Sequence, residues 1–333
     1  MSKDHFEGLS AEQRDHAHAA LTGAFGRTPI DTIAPVAGGA STASTFRIDT
    51  GNRRYLLRVE GEPSPLRNPH QYVSMRIAAE AGIAPHIRYL DEAGRIVVID
   101  FIVQQPLHSY PGGPNALAQA LGELLARVQA TPVFPHFVNY PDIVARLFAH
   151  VCRTGLFAAG VLDPHVAQLE RLREAYNAGL TSLVSSHNDS IPSNVLFDGE
   201  RLWMIDWESA YRNDPLVDVA IVLDSLVRSK ELAEVLLRAW LGRGPDEGLR
   251  VRLEAVRALT RLYYSGVVLS ASAAASWISD DTDLSAPTIA EFQQAIRAGR
   301  LKPGTPETKH IMGKMFLRSF MSGGETPWLD AAV

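Results

Sequence analysis

Ser185 to Ala220 reads S-S-H-N-D-S-I-P-S-N-V-L-F-D-G-E-R-L-W-M-I-D-W-E-S-A-Y-R-N-D-P-L-V-D-V-A. His187, Asp189 and Asn194 fit the spacing H-x-D-x-x-x-x-N, and Asp206 follows at the end of a second apolar run. Between Asn194 and Asp206 lies a hairpin signal. Val195-Leu196-Phe197 precedes the turn pair Asp198-Gly199, and Leu202-Trp203-Met204-Ile205 returns. A short hairpin closes on itself, so the spacing predicts that Asn194 and Asp206 are neighbours, with Asp189 one loop away.

These residue types suit phosphoryl transfer. Asp189 is placed to accept a proton from an attacking hydroxyl. Asn194 and Asp206 supply hard oxygen ligands for Mg²⁺, which neutralises charge on the phosphates of ATP. A bare H-x-D-x-x-x-x-N is compatible with an ordinary hairpin and solvated turn residues. The added I-D-W-E at 205–208 and D-P-x-x-D at 214–218 argue against coincidence.

H-N-D-x-x-P-x-N and I-D-W-E-x-A-x-x-x-D-P-x-x-D-x-A resemble the aminoglycoside phosphotransferase and choline kinase superfamily. Neither the H-R-D nor the D-F-G wording of protein kinases is present. The resemblance implies an α+β, two-lobed, kinase-like fold: a small antiparallel amino lobe over residues 1–103, which binds nucleotide, and a larger helical lobe over 104–333, which carries the catalytic hairpin and substrate-binding helices. It implies ATP-dependent phosphorylation of a small-molecule hydroxyl; which alcohol lies outside the resemblance, and choline or another amino alcohol is the first expectation, an aminoglycoside or sugar the second. It also implies that Asp218 braces the catalytic loop and that His187 supports it. The competing expectation is a nucleotide-binding pseudokinase with a regulatory or scaffold role.

Upstream, Leu9 to Phe25 reads as an amphipathic helix capped by Ser10 with Gln13 three residues on. Ile30 to Val59 reads as three strands. Their first connection holds Gly38, Gly39, Ser41 and Thr42, small residues that let backbone N–H groups and hydroxyls approach ATP phosphates. The third strand carries Arg58 inside an apolar run. The resemblance implies a phosphate-holding cation on this strand; lysine occurs only at Lys3, Lys230, Lys302, Lys309 and Lys314, so that role, if filled, goes to Arg58, the alternative being an edge-strand Arg with its head in water. An acidic partner is expected from the next helix, Pro69 to Ala81, yet that segment offers only Gln71 near its start and Glu80 at its far end. This departure is the best support for the pseudokinase reading. A second hairpin, Ile87 to Leu90 with Ile96 to Val103, leads to Ile99-Asp100-Phe101-Ile102, where the backbone of Asp100 and Ile102 is the candidate adenine edge.

The chain then turns helical: Ala116 to Ala130, Tyr140 to Thr154 and Asp163 to Ala178 before the catalytic stretch. After it come Asp214 to Val227, Glu231 to Leu241, Asp246 to Ser276, Thr288 to Ala298, and a helix pair over Pro303 to Gly323 whose Lys309, His310 and Lys314 are expected to face water, with contact to a substrate the alternative. Trp207, Glu208, Tyr211, Tyr263 and Trp277 are the candidate residues for a cationic substrate. Aromatic faces and a carboxylate attract quaternary ammonium groups, although Tyr263, Tyr264 and Trp277 also have the spacing of a helix core.

The 333 residues carry a net charge of −5, with 46% hydrophobic and 21% charged residues, the profile of a globular protein without a nucleic-acid footprint. No signal peptide or membrane span is expected. Cys152 is the only cysteine, so no internal disulfide forms and a cytoplasmic location is expected. The sequence leaves the oligomeric state open.

Overall fold

The computed structural model describes residues 6, 8–36, 43–61, 68–177, 182–227, 229–275 and 280–324. The chain divides into two compact units, Met1–Tyr110 with Val195–Ala210, and Pro111–Asn194 with Tyr211–Val333.

The first unit begins with helix α1, Ala11–Phe25. Ser10 Oγ accepts from Gln13 N at 3.2 Å and Gln13 Oε1 accepts from Ser10 N at 3.0 Å, so two of the orphan amides at the helix start satisfy each other reciprocally. Strands β1 (Thr32–Pro35), β2 (Ser44–Thr50), β3 (Arg53–Val59), β4 (Ile87–Asp91) and β5 (Ile96–Asp100) form one antiparallel sheet in the order β1-β2-β3-β5-β4. Period-two alternation sends Phe46, Ile48, Tyr55, Leu57 and Val59 to one face. There they meet Phe6, Leu9, Ala17, Ala20 and Leu21 from α1 and its approach. The same alternation puts Arg58 on the opposite face. Helix α2, Gln71–Glu80, lies between β3 and β4 in the chain.

Hairpin β7 (Val195–Phe197) and β8 (Leu202–Met204) forms as its turn residues predict, with Leu196 opposite Trp203. It groups with the first unit rather than with the residues on either side of it. Gln105 N donates to Phe197 O at 2.7 Å and Met204 N to Ile83 O at 3.0 Å. Just beyond it, Ala210 O accepts from Asn68 Nδ2 at 2.7 Å and Ser74 Oγ at 2.8 Å. A division at residue 103 therefore differs from the compact units: the first runs on to Tyr110 and takes in the hairpin.

The second unit is mainly helical: α3 (Gly113–Gln129), α4 (Tyr140–Val151), α5 (Asp163–Asn177), α6 (Leu216–Ser225), α7 (Lys230–Leu241), α8 (Glu247–Ala274), α9 (Ile289–Arg297) and α10 (Pro306–Ser322). Helix α8 packs against α4, α6 and α10. Gly266 faces Leu147 of α4, and Gly313 of α10 faces Leu269 of α8; a Cβ at either glycine would collide with the leucine. Ser265 Oγ reaches Gly313 O at 3.1 Å across the second contact. Two strands with no period-two signal, β6 (Val184–Ser186) and β9 (Tyr211–Asn213), pair antiparallel in this unit. Among the described residues no helix is long and apolar enough to cross a membrane.

The carboxy-terminal segment is one helix, not two. Nor do its basic residues all face water. His310 is buried, its Nε2 lies 3.0 Å from Asp281 Oδ2, and Lys314 Nζ donates to the same oxygen at 2.9 Å. Partial burial pushes the Asp281 carboxyl up, but the bonds from His310 and Lys314 prevail and bring it down to about 2. A carboxylate depressed on folding adds stability above its ordinary pKa of about 4, and loses it as pH falls through the folded value. Asp281→Asn is therefore expected to lower the denaturant midpoint at pH 6, with the gap from the parent protein closing between pH 4 and pH 2. A gap that is constant with pH would remove the ion pair from this account.

Candidate active site

The loop that follows β6 is held by one carboxylate. Asp218, in the first turn of α6, is fully buried. It accepts from Ser186 Oγ at 2.8 Å, His187 N at 2.7 Å, Asn188 N at 2.8 Å and Ser190 Oγ at 2.7 Å. A buried carboxylate is tolerable only with such a set of donors. Asn188 adds a second fastening that sequence reading missed. Its backbone is left-handed, φ 62°, a conformation Asn tolerates better than most residues. Its Nδ2 reaches Ser186 O and Tyr211 O, both at 3.3 Å, and its Oδ1 accepts from Asn213 Nδ2 at 2.6 Å. The β6–β9 pairing thus ties the loop to residues 211–213.

His187, Asn188 and Ser190 are buried, whereas Asp189 between them is half-exposed. Asp189 is the acid this loop presents. Asn194 Nδ2 donates to Asp189 O at 2.9 Å and to Asp189 Oδ2 at 2.8 Å, and Tyr264 Oη donates to Asp189 Oδ1 at 2.8 Å. With its nitrogen committed, Asn194 keeps Oδ1 as the atom able to meet a cation.

In the first unit, Asp206 stands two residues beyond β8 with a left-handed backbone, φ 64° and ψ 65°. That conformation costs a non-glycine residue on the order of 1–3 kcal/mol and persists where surrounding structure imposes it. Arg58 reaches this carboxylate: Nη1 lies 2.9 Å from Asp206 Oδ1, an ion-pair contact without hydrogen-bond alignment. Arg58 Nε donates to Glu60 at 2.6 Å and Nη2 to Glu208 at 2.9 Å. Burial works against the guanidinium charge, yet Asp206, Glu60 and Glu208 outweigh it and raise the pKa of Arg58 above its ordinary value. The acidic partner sought on the next helix is therefore found elsewhere. Glu60 lies two positions along from Arg58, where period two puts both on one face, while Glu80 is exposed at the end of α2.

Other expected site residues fall differently. Gly38, Gly39, Ser41, Thr42 and Trp277 lie outside the described residues. The Asp100 amide is not open to a ligand. It donates to His86 O at 3.0 Å, and the Asp100 carboxylate takes both arms of Arg88. Ile102 lies beyond β5 and is half-buried. Trp207 offers no open face: it is 4% exposed, and its Nε1 donates to Met204 O at 3.1 Å. Tyr211 is buried in β9 with its ring edge-on to Phe137, and burial raises its phenol pKa. The Glu208 carboxylate is engaged by Arg58. Tyr263 is half-buried, its ring 5.4 Å from Tyr264 and 5.8 Å from Tyr140.

The family model described as phosphotransferase enzyme family matches residues 32–253, from β1 into α8 and across every group above except Tyr263, Tyr264 and Trp277. The chain belongs to this family. Protein LicA of Haemophilus influenzae is 44% identical over 54 residues, which is 16% of this chain and 20% of that protein. Two solved structures share the fold of the phosphotransferase. A choline/ethanolamine kinase family protein from Mesorhizobium loti is 23% identical, over 91% of this chain and 99% of that one, with a TM-score of 0.63. Choline kinase LicA from Streptococcus pneumoniae is 15% identical, over 86% and 98%, with a TM-score of 0.63. The fold is thus the two-lobed α+β fold of small-molecule kinases.

Proposed function

We propose that the chain is an ATP- and Mg²⁺-dependent kinase that phosphorylates a hydroxyl of a small molecule, choline or a related amino alcohol in first place and an aminoglycoside or sugar in second. The observation that carries this reading is the half-exposed Asp189 among buried neighbours, on a loop that Asp218 holds through four hydrogen bonds. A carboxylate fixed in this way suits a proton acceptor for an attacking alcohol. Membership of a phosphotransferase family supports the reaction class, and the choline kinases that share the fold support the acceptor class.

In this reading Asp189 takes the acceptor's proton. Arg58, and the backbone at Ile102, serve the nucleotide in the first unit, while the helical unit carries Asp189 and receives the alcohol. Asn194 Oδ1 and the Asp206 carboxylate, flanking the β7–β8 hairpin in the chain, are hard oxygen donors that fit Mg²⁺. The ion, when bound, supplies charge neutralisation at the phosphates. Arg58 pairs with both Asp206 and Glu208, so like charges are not left facing each other.

Release of ADP across a panel of alcohols separates this kinase from a nucleotide-binding pseudokinase, since both bind ATP. The amino-alcohol class has a sharper test, which compares choline with its uncharged isostere 3,3-dimethylbutanol. Recognition of the cation, worth about 1.4 kcal/mol or more, favours choline by ~10-fold or more in kcat/KM. Equal use of the two alcohols, or good activity on a sugar with neither, would overturn the amino-alcohol assignment and leave the kinase standing.

A further inference from the structure

We infer that Tyr264 is a positioning residue for Asp189: its phenol holds one carboxylate oxygen while Asn194 holds the other, so that the proton acceptor has a single orientation. The inference rests on Asp189 being the proton acceptor of the proposed reaction.

The two contacts divide the carboxylate between them. Tyr264 Oη donates to Oδ1 and Asn194 Nδ2 to Oδ2, each at 2.8 Å. The bond from the Asp189 side chain to its carboxylate is otherwise a broad, roughly two-fold rotor, and two donors from different directions fix it. A carboxylate oxygen has more than one acceptor direction, so each oxygen keeps capacity for the substrate hydroxyl.

Tyr264 is itself packed on several sides. Its ring is 6% exposed, stacked on Phe316 of α10 at 6.1 Å and edge-on to Tyr263 at 5.4 Å. The close approaches of α8 to α4 at Gly266 and to α10 at Leu269 follow it within the next turns of the helix. Burial first, and the Asp189 charge second, push its phenol well above the ordinary tyrosine range. It therefore remains a hydrogen-bond donor and takes no proton from the reaction.

A fixed acceptor matters because proton removal requires a lone pair aligned with the attacking hydroxyl. Misplacement on the order of 1 Å costs up to ~100-fold, and freeing a rotor that Asn194 still half-restrains is expected to cost ~10-fold. The loss belongs in kcat, since Tyr264 orients the base and does not bind substrate.

The test is Tyr264→Phe in the full chain, which deletes one oxygen and keeps the stacked ring. Turnover is measured with MgATP and an alcohol that the parent protein accepts. The expected result is kcat lower by ~10-fold, with KM for both substrates within ~2-fold and an unchanged circular dichroism spectrum. In an Asp189→Ala background there is no carboxylate to orient, so the same substitution adds no further loss. Parental kcat in Tyr264→Phe, a change confined to KM, or an equal loss in the Asp189→Ala background would each overturn the inference. Parental turnover in Asp189→Ala itself would instead overturn the assignment of the base. The two failures are therefore distinguishable.

Discussion

Asp189→Asn is expected to cut turnover by at least ~100-fold, the usual scale for a positioned acid–base group. The substitution keeps the volume and shape of the side chain, so the loop, with its bonds to Asp218, stays in place. It removes the negative charge and replaces one acceptor oxygen by a donor nitrogen. That nitrogen must face either Asn194 Nδ2 or Tyr264 Oη, both of which donate to Asp189. The amide cannot accept the alcohol's proton, and with its nitrogen towards Tyr264 the phenol must turn from donor to acceptor. Nucleotide affinity should be nearly unchanged, because Arg58 lies on the sheet of the first unit and has carboxylate partners of its own. Steady-state turnover, calorimetric titration with MgATP and a thermal melt of the same preparation test all three statements. Turnover near that of the parent protein, with the fold intact, would exclude Asp189 from the chemistry.

The second large effect concerns stability. Asp218→Ala removes the common acceptor of two backbone amides and two hydroxyls, all buried. Leaving a buried donor unpaired costs about 1–3 kcal/mol, and breaking a buried charged contact about 3–5 kcal/mol in total. Relaxation and entering water keep the sum from being additive, so a loss of roughly 3–5 kcal/mol is expected. This is a large part of the 5–15 kcal/mol that ordinarily separates folded from unfolded chains. Urea unfolding measures it directly. Asp218→Asn should recover little, since its amide nitrogen would meet a donor on one side. A loss below about 1 kcal/mol in Asp218→Ala would mean that the loop holds its shape by other contacts.

What the sequence disclosed about this fold was mostly short-range. The Ser10–Gln13 box, the Asp198-Gly199 turn and the strand alternation around Arg58 each act within a few residues, so spacing carries them. The contacts it hid join distant positions. β6 and β9 have three residues each, too few for a period to register. Tyr264 meets Asp189 only through the packing of α8, and nothing in its local sequence distinguishes it from Tyr263. Trp207 and Tyr211 follow a candidate metal ligand in the chain, but adjacency in sequence does not set the direction of a side chain. A short helical turn at Trp207–Ser209 and the β6–β9 pairing carry both rings into the interior. The search for the Arg58 partner looked to the next helix because the family pattern pointed there; the strand's own period two pointed to Glu60. Gly313, in mid-helix, is kept by the close passage of Leu269 and does not end α10.

The first unit is assembled from two separate parts of the chain, Met1–Tyr110 and Val195–Ala210. During synthesis its sheet can form early, but Ile83 O, Gln105 N and the side chains of Asn68 and Ser74 wait for partners still inside the ribosome. Those partners emerge only after the catalytic loop has been made. A fragment cut after Tyr110 would lack them permanently, and one starting at Pro111 would carry a hairpin with nothing to lie against. Domain dissection, gene fusion and circular permutation of this protein are therefore constrained at an unexpected place: the safe cuts do not lie between the lobes.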